Sequence, residues 1–64
     1  MKPLDENIIQ IYKETSTTLT GSDRRAFQAK ITNEYLEGNP NRAELVFGWG
    51  RNTVKLGLKE LETG

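Results

Sequence analysis

The chain has 64 residues, 34% of them hydrophobic, with nine basic residues balanced by nine acidic ones and neither cysteine nor histidine. A length near the lower limit for a self-sufficient core allows a single domain of low stability, and the missing Cys and His remove disulfides, thiol chemistry and the usual zinc sites. The cancelled charge argues against a nonspecific polyelectrolyte binder, and no apolar run reaches the length of a membrane span or a signal-peptide core, so a cytoplasmic location is expected.

Leu4, Ile8, Ile11, Tyr12 and Leu19 recur at helical spacing, with Pro3 and Asp5 suited to a first turn, and predict a helix over residues 5–16. The run Thr15-Ser16-Thr17-Thr18 weakens it, and Thr20-Gly21 ends the segment. Ser22 is the expected N-cap of a second helix over 23–37, in which Asp23 favours the positive end of the helix dipole. Ala26, Phe27, Lys30, Ile31, Tyr35 and Leu36 lie along it, and Gly38 stands at a common terminating position. Asn39 then caps a third helix over 40–47, with Pro40 in the first helical position, where its missing N–H costs nothing.

The segment from Phe47 to Leu58 carries the most information. Gly48 is expected to take positive φ directly after the third helix. Trp49 is expected to fold back and be buried between the third and fourth helices, and Gly50 to occupy the cap of a fourth helix over 51–62. Val54, Leu58 and Leu61 recur at i, i+4 and i+7 and define its buried face. Gly57 lies on the flank of that face, where a missing side chain lets another helix approach closely at a cost of about 1 kcal/mol in propensity. Ala43 faces this helix, where a larger side chain would push the two apart. The core is expected to comprise Ile8, Ile11, Leu19, Phe27, Ile31, Leu36, Phe47, Trp49, Val54, Leu58 and Leu61. The fold class is therefore all-α: four helices over residues 1–64 with a helix-turn-helix in the second half and no sheet.

Arg51, Asn52, Lys55, Leu56 and Lys59 remain outward on the fourth helix. Arg and Asn pair in bidentate fashion with guanine and adenine edges, Lys serves phosphate or guanine, and the N-terminal part of the second helix of such a motif enters the major groove. Double-stranded DNA is the expected partner, with Arg51, Asn52 and Lys55 as base readers and Arg42, Thr53 and Lys59 as phosphate contacts. Between Asn39 and Lys59 four cations face Glu44 alone, so a neutral domain has a basic end that can orient on DNA, with modest affinity in isolation. A solvated amphipathic helix is the plain alternative for Lys55 and Lys59 taken alone.

The run from Gly50-Arg51-Asn52-Thr53-Val54 to Leu61-Glu62 resembles the recognition helix of winged-helix transcription regulators, which continue into a β-hairpin wing; this sequence stops first, at Gly64. A longer run is more particular: Ser22-Asp23-Arg24-Arg25-Ala26-Phe27, then Asn41-Arg42-Ala43-Glu44-Leu45, Phe47-Gly48-Trp49-Gly50-Arg51-Asn52-Thr53-Val54, and Gly57-Leu58-Lys59-Glu60-Leu61. It resembles the N-terminal DNA-binding region of bacterial insertion-sequence transposases of the DDE type. The resemblance implies binding to the terminal inverted repeats of a mobile element, with the catalytic acids in a downstream domain. The turn-like Glu62-Thr63-Gly64 is then expected to mark the edge of a unit, cut from a longer protein or left as the remnant of a disrupted element.

No catalytic residue, metal site or cofactor is expected. Asp5 with Glu6, Glu34 with Glu37 and Glu60 with Glu62 are carboxylate pairs on solvated segments without a neighbouring base or cleft, and Gly48-Trp49-Gly50 lacks the Gly-Lys-Ser/Thr ending of a phosphate loop. Arg24 and Arg25 open the second helix against its dipole, which fits either a phosphate or acidic partner or surface pairing with Glu. A protein-interaction or dimerisation module is the alternative function, motivated by zero net charge and by apolar Leu56, with a second copy of the chain or a downstream catalytic domain as partner.

Overall fold

The computed structural model describes residues 4–63 as four helices, and among the described residues there is no strand. Helix α1, Glu6–Thr18, starts one residue later than expected because Asp5 is its N-cap, the carboxylate accepting the Ile8 N–H at 2.8 Å. It also runs two residues further. The hydroxyls of Thr15, Thr17 and Thr18 donate back to the carbonyls of Ile11, Glu14 and Thr15 and so satisfy themselves within the helix, instead of competing with it.

Helix α2, Gly21–Leu36, begins earlier than residue 23, and Ser22 is not its cap. Thr20 holds the cap position in an extended conformation without a side-chain cap bond, and Gly21 turns the chain at φ +54°, so the helix follows α1 after a joint of two residues. At its other end Glu37 (φ 55°) and Gly38 (φ 73°) are both left-handed, and the N–H groups of Gly38 and Asn39 donate to the carbonyls of Thr32 and Leu36 at 3.0 and 3.1 Å. Glu37 therefore lies outside the helix in which it was expected.

Helix α3, Pro40–Phe47, has its expected bounds, and the Asn39 side chain accepts the N–H groups of Asn41 and Arg42. Helix α4, Arg51–Thr63, begins where expected and ends one residue later.

Helix α2 is the centre of the fold, and its contact with α4 is the most extensive between any two elements. The buried cluster is Leu36, Ala43, Phe47, Trp49 and Val54, with Leu4, Ile9, Tyr12, Phe27, Ile31, Tyr35, Val46 and Leu58 packed around it. Tyr12 ties α1 to this cluster: its ring meets those of Phe27, Tyr35 and Phe47, and the Tyr12 and Tyr35 hydroxyls are 3.0 Å apart. That bond and partial burial raise the Tyr12 pKa above the ordinary tyrosine value.

Four residues expected in the core are outside the cluster: Ile8 and Leu19 are half-buried but not packed against it, and Ile11 and Leu61 are exposed. Ile11 is 56% exposed because the side of α1 that meets the core carries Ile9, Tyr12 and Ser16, and a residue one position before Tyr12 is turned about 100° away. Leu61 is 37% exposed because it borders an open hollow whose opposite wall is formed by the small or polar residues Ser22, Asp23 and Ala26. Polar residues occupy buried places instead. Gln28 Nε2 donates to Ser16 Oγ at 2.8 Å and Thr32 Oγ1 donates to the Gln28 carbonyl at 2.7 Å, so most of their polar atoms are satisfied.

Candidate nucleic-acid interface

The residues 48–50 connect α3 to α4 in three steps. Gly48 takes φ +76° and its N–H donates to the Glu44 carbonyl at 2.9 Å, which terminates α3. Trp49 turns inward and is buried. Its ring stacks on Phe47 of α3 at 4.2 Å between centroids, shares the buried cluster with Val54 of α4, and also meets Phe27 of α2 edge-on at 6.2 Å, a contact that was not expected. Gly50 supplies the carbonyl that accepts the Val54 N–H and opens α4.

The orientation of α4 follows from Val54 and Gly57, both buried, and Leu58, half-buried. Arg51, Asn52, Thr53, Lys55, Leu56 and Lys59 are all exposed. On a helix of 3.6 residues per turn Asn52, Lys55, Leu56 and Lys59 form one continuous outward surface, with Arg51 on one flank and Thr53 on the other. Arg42 is exposed but is not brought onto this surface. It lies beside Leu36, Glu37 and Asn39, and it is separated by about 200° of helix rotation from Glu44, the residue on α3 that reaches Arg51.

Among the described residues, two ion pairs shape the electrostatics of this region. Arg51 Nε is 3.4 Å from Glu44 Oε1, both side chains being about half exposed, so α3 holds the first cation of α4 in a solvated pair. Arg25 grips Glu60 through two parallel bonds, Nε to Oε1 at 2.9 Å and Nη2 to Oε2 at 3.0 Å. These bonds hold the Glu60 carboxyl below the usual carboxylate range and raise the Arg25 pKa further. Arg24 serves as a C-terminal clamp for α1, its Nε donating to the Ser16 and Leu19 carbonyls at 3.0 and 2.9 Å. Arg25 thus makes the surface pair with Glu that one reading expected, and Arg24 has backbone carbonyls in place of the expected Glu.

A shallow hollow of about 350 Å³ runs between the start of α2 and α4, walled by Gly21, Arg24 and Arg25 on one side and by Asn52, Thr53 and Leu56 on the other. Sequence spacing did not reveal it, because Arg25 and Glu60 are 35 residues apart and nothing in either helix alone indicates that they meet.

Among the described residues, no helix is long and apolar enough to cross a membrane. No family model, curated protein or solved structure matches the chain.

Proposed function

We propose that the chain is a sequence-specific double-stranded DNA-binding domain of a bacterial, cytoplasmic protein, with α4 as the recognition helix. The observation that supports this most is the outward surface of α4. Arg51, Asn52, Lys55 and Lys59 are exposed together on the first turns of a helix whose opposite side is fixed by buried Val54 and Gly57. Arg51, Asn52 and Lys55 then address base edges, while Thr53 and Lys59 address phosphates. The resemblance of the run Ser22–Leu61 to insertion-sequence transposases supports transposon ends as the target class, with DNA cleavage and joining left to a downstream domain or lost in a remnant.

Fluorescence anisotropy against a randomised duplex pool, titrated in salt, tests the proposal. Saturable binding that weakens with rising salt is expected. Absence of salt-dependent binding at micromolar protein refutes it. One observation favours a protein-interaction module instead: Leu45 on α3 is 84% exposed. Sedimentation at several concentrations separates the two readings, because a monomer throughout removes self-association.

A further inference from the structure

Leu56 is an apolar side chain, 47% exposed, in the middle of an otherwise polar surface. Its neighbours three and four residues away along α4 are Asn52, Thr53, Lys59 and Glu60, and across the hollow stand Arg24 and Arg25. Arg25 and Glu60 neutralise each other, so the remaining charge around Leu56 is the positive charge of Arg24 and Lys59. A protein-docking patch needs contiguous apolar area of several hundred Å², and a single leucine in a ring of polar groups does not provide it. Such a ring suits a polyanion that carries one small apolar group at a fixed place.

Resting on the DNA-binding reading, we infer that Leu56 is a specificity-determining residue that contacts the C5-methyl group of thymine. The methyl is the one apolar group on the major-groove edge of a base pair. Asn52 precedes Leu56 by four residues, so their β-carbons lie roughly 5–6 Å apart on the same side of the helix. Base pairs rise by about 3.4 Å. A helix whose Asn52 amide meets adenine N6 and N7 therefore brings Leu56 over a base one or two steps away. The hollow beside Leu56, about 350 Å³ and walled by Gly21, Arg24 and Arg25, gives the methyl room to seat against the leucine.

The test uses the tightest duplex recovered from a randomised pool and a series in which each thymine in turn is replaced by deoxyuracil, which removes the methyl alone. Wild-type protein is expected to lose about fourfold in affinity at one or two positions, the effect of one buried methyl. Leu56→Ala is expected to bind the parent duplex more weakly and to be indifferent to the same replacements, while Leu56→Met retains the sensitivity; circular dichroism confirms that both variants are folded. Equal wild-type affinity for every member of the series overturns the inference, as does undiminished sensitivity in Leu56→Ala or a selected duplex without thymine. Those results leave DNA binding standing. Failure to bind any duplex removes the DNA reading itself and is distinguishable from them.

Discussion

Gly57 of α4 lies directly against the main chain of Arg25 in α2: a β-carbon at Gly57 would fall on the Arg25 carbonyl oxygen, 3.0 Å from the carbonyl carbon and 3.1 Å from Ala29 Cβ. Neither helix backbone can move aside as a flexible side chain would. Gly57→Ala gains about 1 kcal/mol of helix propensity but forces α2 and α4 apart along their largest contact, an overpacking cost of about 1–3 kcal/mol or more. The melting temperature by circular dichroism should fall. A rise would mean that the two helices separate at little cost.

Trp49 is the single tryptophan, buried, stacked on Phe47 and in edge contact with Phe27. Trp49→Ala should cost about 3–5 kcal/mol, a large fraction of the roughly 5–15 kcal/mol that holds an ordinary domain together. Far-UV circular dichroism at 25 °C should show a largely unfolded chain, with Trp49→Phe recovering much of the helix signal. A cooperative transition near the wild-type temperature in Trp49→Ala would contradict the role given to this stack.

The Arg25 and Glu60 bonds link stability to pH. Glu60 is held below its ordinary pKa chiefly by the hydrogen bond from Arg25, so its contribution is complete above the unfolded carboxylate value of about 4.3 and is lost as pH falls through the folded value. The difference in melting temperature between wild type and Glu60→Gln should therefore be constant from neutral pH to about 5 and shrink at lower pH. A difference that grows on acidification would assign the effect to another group.

The helix pattern was legible because its signals are local. Asn39-Pro40 opens α3 and Gly48 closes it at positive φ; these depend on which residues accept a given backbone conformation. The joint between α1 and α2 was less legible, since hydroxyl-to-carbonyl bonds carry α1 through a threonine run and Arg24 closes it from the following helix. Core membership failed at Ile8, Ile11, Leu19 and Leu61 because burial depends on what stands opposite, and spacing along one helix does not reveal that. The same holds for the candidate interface. The outward residues of α4 followed from its periodicity, but the grip of Arg25 on Glu60 and the placement of Arg42 off that surface depend on how helices meet.

Glu44 and Arg51 make the sharpest test of the base-reading role, because the pair on the surface and the proposed contact with guanine compete for one guanidinium. As a half-exposed pair it contributes about 0.2–1 kcal/mol to folding at most, so Glu44→Gln should leave the melting temperature nearly unchanged. It also removes a negative charge beside the phosphates and frees Arg51, so DNA affinity should rise, most at low salt. Arg51→Ala should lose about 1–3 kcal/mol of binding and relax preference at one base pair, whereas Lys59→Gln should weaken all sequences alike and reduce the salt slope by about one. Anisotropy titrations of the three variants on one selected duplex and its single-base substitutions measure all of these. If Arg51→Ala lowers affinity equally for every substituted duplex, Arg51 is a phosphate contact and the guanine assignment fails, even with DNA binding intact.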